Sequence, residues 1–280
     1  MATAAMRALP WEEIAEPFHY HDPDRPGFVA LLTESGGRKR QSSVWLADLA
    51  DEVEQLSGRT DVWISQGEFR KPNRRAVNLW RMPLAFVDLD VYKVPRIAGL
   101  TTEAQVDALL RHCDDNGVPQ PSLVVFSGRG LQVKWLFTRP IPRKALPRWA
   151  LAQRVLNERL REFGADANAL DASRVLRLVD TTSSRSNQRV RIVHATTAPT
   201  GGAERLTTGT IGYDFDVFAD TLLPLTREEL TRRRESRAAE QEARNALRAS
   251  QPVSVCIEGV LSHRIASHAS RRVLIPSQLA

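Results

Sequence analysis

Cysteine is scarce in this sequence. Cys113 and Cys256 are the two thiols in 280 residues, too few and too far apart for a disulfide framework or a zinc ribbon. Lysine is nearly as scarce. Lys39, Lys71, Lys93, Lys134 and Lys144 are the five present, so arginine supplies most of the 39 cations set against 33 acidic side chains. Arginine's planar fork matches phosphate oxygens better than an ammonium does. With a pI near 9.8, the basic excess fits the electrostatic footprint of a nucleic-acid binder, though basic charge alone is not specific to one. No stretch approaches the roughly 20 apolar residues that a membrane span needs, and Met1–Pro10 holds no long apolar run of the secretory type. A cytoplasmic protein without a membrane partner is expected. There is no internal repeat, and no Gly-Lys-Ser or Gly-Lys-Thr to complete a Walker loop.

Hydrophobic residues make up 42% of the chain, enough for a sizeable core. Strand patterns fall at Phe28–Leu32, before a Gly36-Gly37 turn, at Asp61–Ser65, at Pro83–Leu89, at Leu123–Phe126 and at Leu131–Phe137. In the last of these Val133, Trp135 and Phe137 alternate with Gln132 and Lys134, which predicts one face open to a cleft or to water. Helical spacing covers Leu46–Leu56. It returns after Thr102, where Thr102 and Gln105 read as a capping box and Val106, Leu109, Leu110 and Cys113 share a face, and again over Pro147–Phe163, with Gly164 at the C-cap position. Leu176, Val190 and Ile192 predict a final hairpin. From Thr226 to Arg248 the chain is rich in Arg, Glu and Ala without a strong apolar face, and reads as a solvated helix. The expected organisation is an α+β domain over 1–225 and a charged helical tail over 226–280.

Three constellations carry chemistry. Asp88 and Asp90 stand at i and i+2 of the apolar strand Phe86-Val87-Asp88-Leu89-Asp90, so they share a face. Two such carboxylates repel unless one is protonated or a cation offsets the repulsion, and Mg²⁺ or Mn²⁺ takes oxygen ligands of this kind. A strand that ends in a solvated polar loop is the alternative. Ser127-Gly128-Arg129-Gly130 follows a buried strand. Its glycines can let backbone N–H groups approach an anion and Arg129 can add a phosphate fork, although an ordinary hairpin turn reads the same way. Asp166 and Asp171 precede Arg174, Arg177 and Arg185, with Thr181, Thr182, Ser183 and Ser184 between the last two. A carboxylate, spaced arginines and a hydroxyl-rich loop are what a metal-bound triphosphate needs, although a Ser/Thr-rich connection with surface arginines reads the same way.

In this order, hydrophobic-D-x-D, then S-G-x-G before a Trp-bearing strand, then carboxylate, R-h-h-R and T-x-x-x-[KR], the motifs resemble the archaeo-eukaryotic primase superfamily. Within it they are most similar to the RepB-like primases of broad-host-range plasmids and phage relatives. The likeness covers roughly residues 25–195. It implies an α+β catalytic core with an RRM-like open sheet and two-metal nucleotidyl transfer with Mg²⁺ or Mn²⁺. Asp88, Asp90 and Asp166 would be the catalytic metal ligands, with Asp171 competing for the third place. Ser127, Gly128, Arg129, Gly130, Gln132, Arg177 and Arg185 would hold the nucleoside triphosphate. Arg70, Lys71, Arg74, Arg75, Lys134 and Arg174 would contact a single-stranded DNA template. A replicative helicase is the partner such a primase implies.

The chain departs from the family pattern in two places. Gln132 stands where many members have His, and it can hydrogen-bond a phosphate but cannot carry a proton. Val179-Asp180 replaces a Pro-Gly turn, with Ser183 in place of Asn and Arg185 in place of Lys. These changes favour a second reading, a replication protein that keeps the fold and binds DNA without polymerising. A metal nuclease built on Asp88 and Asp90 is the third, and the arginine-rich third motif counts against it.

Overall fold

The computed structural model describes residues 11–250. Met1–Pro10 and residues 251–280, which include Cys256 and the weakly patterned segment from Val253, lie outside the described residues. The chain divides into two units with the boundary between Arg227 and Glu228. No helix among the described residues is long and apolar enough to cross a membrane.

The first unit opens with a hairpin, β1 (Phe28–Ser35) and β2 (Arg38–Trp45). Gly36 and Gly37 both have positive φ, 57° and 75°, which is what a two-residue turn between twisted antiparallel strands requires. α1 (Leu49–Leu56) buries Leu49 and Leu56 against Val29, Leu31, Val62 and Ile64. β3 (Val62–Ser65) and β4 (Glu68–Phe69) then share the second edge of β1. β5 (Leu79–Leu89) is eleven residues long, and its stretch from Met82 to Val87 is fully enclosed.

α2 (Pro95–Ala98) leads into α3 (Thr102–Asp115), which buries Val106, Leu109 and Cys113. The cap of α3 is Thr101, whose Oγ1 accepts from Ala104 N–H at 3.3 Å. The predicted capping box on Thr102 and Gln105 is therefore off by one residue. Gln105 turns inward instead and donates to the carbonyls of Ile97 and Leu100. β6 (Leu123–Phe126) and β7 (Leu131–Pro142) follow as a hairpin, then α4 (Leu146–Arg159), which buries Trp149, Ala152 and Leu156. After a short 3-10 turn, Gly164 takes the left-handed conformation, φ 80°, as its C-cap position requires.

The remaining strands are short: β8 (Val175–Arg177), β9 (Thr182–Ser183), β10 (Gln188–Arg189), β11 (Arg191–Ala195), β12 (Ala203–Arg205) and β13 (Ile211–Tyr213). The hairpin expected around Leu176 and Ile192 does not form. Leu176 lies on β8, which pairs with β3, whereas Ile192 lies on β11, which pairs with β6 at the far end of the sheet. The small hairpin in between is β9 with β10. α5 (Phe215–Leu222), capped by Asp214, packs Phe215 and Phe218 on Phe137 of β7.

Among the described residues, eleven strands form one sheet along the path β11-β6-β7-β5-β4-β1-β3-β8. β2 extends it beside β1, and β13 and β12 beside β7. Each neighbouring pair on that path is antiparallel, and α3, α4 and α5 cover the core built on β5 and β7. The architecture is thus α+β with a large open sheet. The second unit is described only over α6 (Arg227–Ser250), most of whose described side chains are exposed.

Candidate active-site cleft

The backbone of β5 is held on both edges where Asp88 and Asp90 leave the core. On one edge it pairs with β7, with Asp88 opposite Gln132. On the other edge β4 reaches only Leu79 to Arg81, and beyond it side chains of α4 take the ladder's place. Trp149 Nε1 donates to Leu84 O at 3.0 Å, and Gln153 accepts from Phe86 N–H and donates to Phe86 O. The chain leaving α4 completes that edge. Asp90 N–H donates to Gly164 O at 2.8 Å, and Asp166 N–H donates to Asp88 O at 2.9 Å. Buried backbone groups need such partners, and here they fix the carboxylate-bearing end of β5 and draw Asp166 to its side.

That end opens into a cleft of about 380 Å³ whose lining includes Asp88, Asp90 and Gln132 below a set of arginines, among them Arg129, Arg174, Arg177 and Arg185. Burial pushes the Asp88 carboxyl up to about 6, Asp90 and Asp166 push the same way, and Arg174 and Arg177 oppose them. Asp90 holds Lys93 at 2.6 Å. Gln132 is 2% exposed, and its Oε1 is buried without a hydrogen-bond partner. An unpaired acceptor of this kind costs free energy unless something else meets it.

Close packing accounts for the glycines of the turn Ser127–Gly130, the ordinary-turn reading of that motif. A Cβ on Gly130 would stand 2.3 Å from Leu89 O, and one on Gly128 (φ 104°) would stand 2.6 Å from Ser183 Cβ. The glycines let the turn pack between the end of β5 and the hydroxyl-rich loop. Ser127 N–H and Oγ both donate to Gly130 O. Arg129 projects into the cleft and stacks on Tyr92 at 4.1 Å from the ring centroid.

The third motif wraps the opposite side. Arg177 donates to Asp61 at 2.7 Å and Ser184 N–H reaches the same carboxylate oxygen at 3.2 Å. Burial alone would raise the Asp61 carboxyl, but Ser184 and Arg177 more than offset it and hold it low. Arg185 is exposed at the cleft rim. Arg174 lines the cleft and pairs with Asp166 at 3.3 Å.

The predicted residues separate into three groups. Asp88, Asp90, Ser127, Arg129, Gly130, Gln132, Arg174, Arg177, Arg185 and Arg74 share the cleft, and Gly128 stands behind its turn. Arg70, Lys71 and Arg75 are exposed on the loop beside it. Lys134 cannot take the template role assigned to it, and the face of β7 expected to be open is covered there. Lys134 is 0% exposed, with its Nζ 2.5 Å from buried Glu16 Oε1 and 3.1 Å from Tyr20 Oη. The segment before β1 lies over it, a long-range contact that strand alternation alone does not reveal. Desolvation lowers the Lys134 ammonium's pKa, with Glu16 opposing.

Asp166 is beside Asp88 through the backbone, but its carboxylate accepts from Asn168 and Arg174. Asp171 lines the cleft, with Oδ1 taken by Ser173. Among the described residues no three Asp, Glu, His or Cys side chains gather closely enough to hold a metal ion. The pair Asp88 and Asp90, with the unmatched Gln132 oxygen, nevertheless offers hard oxygen donors. Mg²⁺ is commonly bound by one or two carboxylates, with substrate phosphates and water completing its shell. The residues present fit one such ion.

Sequence reasoning missed Asp61, Trp63, Lys39 and Tyr92. The strand containing Trp63 was legible, but nothing in the local pattern placed Trp63, Lys39 and Tyr92 in the cleft or Asp61 against Arg177.

No family model matches the chain. It is similar to a curated relative, "Replication protein" of Clostridium perfringens, at 33% identity over 162 residues, 58% of this chain and 39% of that one. The match thus spans about two fifths of the relative's length. Among solved structures, the chain is similar to the archaeo-eukaryotic primase domain of the cyanophage S-2L primase-polymerase, with TM-score 0.45 and 17% identity over 71% of this chain and 89% of that one. It is also similar to the catalytic domain of primase RepB′ in complex with initiator DNA, with TM-score 0.40 and 13% identity over 80% of this chain and 90% of that one.

Proposed function

We propose that the cleft performs divalent-metal-dependent nucleotidyl transfer on a single-stranded DNA template, as the primase of a plasmid- or phage-type replicon. One observation carries the reading. A carboxylate pair at the end of a locked strand, with Asp88 pushed up to about 6, sits in one cleft with five arginines and an unmatched Gln132 oxygen. A site of that charge pattern suits a cation together with a polyphosphate. The partial match to a protein named for replication supports the same reading.

Asp88 and Asp90 would hold Mg²⁺ or Mn²⁺, with Asp166 the candidate third ligand. When bound, the ion supplies charge neutralisation at the reacting phosphate and a more acidic attacking hydroxyl. Arg174, Arg177 and Arg185 bind the triphosphate oxygens, Arg177 being pre-oriented by Asp61. Arg129, braced on Tyr92, closes the side formed by the Ser127–Gly130 turn. Gln132 donates or accepts one hydrogen bond at the floor and moves no proton. Arg70, Lys71, Arg74 and Arg75 steady the template backbone.

The engagement of Asp166 by Arg174 favours the second reading, a DNA-binding replication protein without polymerising activity. One assay separates the readings: dinucleotide synthesis on single-stranded template with Mg²⁺ or Mn²⁺, with template cleavage followed in parallel. Synthesis that the Asp88→Asn, Asp90→Asn double variant loses supports nucleotidyl transfer. Cleavage without synthesis assigns a nuclease. Binding without either leaves the non-catalytic reading.

A further inference from the structure

Four adjacent strands carry one register row. Gln41 of β2 faces Leu32 of β1, Leu32 faces Trp63 of β3, and Trp63 faces Arg177 of β8. Residues directly opposite one another across antiparallel strands share a face, and Leu32, Trp63 and Arg177 all line the cleft. Gln41 continues the row to the sheet's edge, where it accepts from Arg74 Nε at 2.9 Å. Core packing does not account for Trp63. Its neighbours Val62 and Ile64 are fully buried, whereas Trp63 is half-buried on the cleft side. The Arg177 guanidinium lies 4.8 Å from its ring centroid and Lys39 Nζ lies 5.8 Å away. Lys39 is 61% exposed and sits 3.8 Å from Glu34, a loose pairing that a ligand can displace.

We propose that this row and the β1–β2 hairpin form a track for a single-stranded nucleic acid, with one base stacked on Trp63 and the flanking phosphates on Lys39 and Arg74. The proposal rests on the reading that the cleft works on a nucleic-acid strand, and it adds where the strand runs and what grips it. Two features favour a strand over a lone nucleotide or a duplex. The positive charge continues past the cleft from Lys39 of β2 and, by way of Arg74, into the loop bearing exposed Arg70, Lys71 and Arg75. That is more cation than one triphosphate engages. A half-exposed indole beside cations is also a stacking platform for an unpaired base, which a duplex does not offer.

The test is fluorescence anisotropy of labelled oligothymidine with the full chain, titrated at several salt concentrations. Trp63→Leu should weaken binding by about tenfold or more with an unchanged salt slope, because no phosphate contact is lost. Trp63→Phe should restore most of the affinity. Lys39→Gln should lower the slope by about 0.7. An abasic strand of the same length should bind the wild type more weakly than oligothymidine does, a comparison that stands even if Trp63→Leu does not fold, and it should not distinguish the wild type from a folded Trp63→Leu. Equal affinity of the wild type and Trp63→Leu for oligothymidine, or a wild-type preference for duplex, overturns the proposal while leaving the assigned chemistry in place. A wild type that binds no strand at all overturns both.

Discussion

Replacing Asp88 by Asn should stabilise the metal-free protein, and the gain should depend on pH. In the folded chain the carboxyl sits at about 6 instead of 3.8, so ionising it works against folding. The sign follows from the raised value. Asp88 contributes no penalty below the unfolded carboxylate range, and the penalty grows as pH rises from about 4 through 6, because the unfolded chain ionises first. Two units correspond to a ceiling of about 3 kcal/mol. Asp88 retains partial exposure at the cleft floor, so screening brings the expected value down to about 1–2 kcal/mol. For a unit of this size that is a rise in Tm of roughly 2–8 °C. Thermal melts of the wild type and Asp88→Asn in a chelator, at intervals from pH 4 to pH 7.5, measure it directly. The difference should be small at pH 4 and reach its full size near pH 7.5. Adding Mg²⁺ or Mn²⁺ should then raise the wild type more than the variant, since an ion that binds only the folded chain stabilises it. A difference that stays constant across the range, or a variant less stable at pH 7.5, would refute the argument that burial and like charge strain this carboxylate.

Three further outcomes are expected. Asp166→Asn should abolish metal-dependent synthesis while Asp171→Asn leaves measurable turnover, both read in the dinucleotide assay; the reverse pattern makes Asp171 the third carboxylate. Lys134→Met should lower stability by about 3–5 kcal/mol because it strands buried Glu16, and adding Glu16→Leu should recover most of the loss, as measured by urea unfolding. A chain ending near Leu225 should keep its Tm to within about 8 °C, since α6 offers little apolar surface for packing; a larger drop would show that the tail is part of the first fold.

The strands and helices that face the core were legible because their periods are local. Val106, Leu109 and Cys113 mark α3, Trp149 and Leu156 mark α4, and the run into Asp88 marks β5. What the pattern could not supply was the partner of each strand. Leu176 and Ile192 read as neighbours because they are close in sequence, yet β8 and β11 end up at opposite ends of the sheet path. Lys134 failed for a related reason. Alternation on β7 correctly separated its side chains by face, but the cover over that face comes from Glu16 and Tyr20, more than a hundred residues earlier.

The third carboxylate exposes the same limit within the site. The segment bearing Asp166 and Asp171 is two successive turns, with Ala169 N–H donating to Asp166 O and Arg174 N–H to Asp171 O. Each aspartate also accepts, through its own Oδ1, the N–H two residues on, at Asn168 and Ser173. By every local criterion the two are equivalent, because Asp commonly closes turns in this way. Beyond those turns they differ: Asp166 pairs with Arg174, its carbonyl accepts from Asn157, and its N–H donates to Asp88 O, the bond that fixes Asp166 beside the end of β5 whichever way its carboxylate turns. Asp166 contributes to the raised Asp88 carboxyl, and Arg174 opposes it. Arg174 therefore balances negative charge at this end of the cleft, and a polyphosphate bound there would compete for that guanidinium. Were Arg174 drawn toward phosphate, the Asp166 carboxylate would be left free to meet a cation, so the pairing with Arg174 is compatible with the proposal of Asp166 as a ligand.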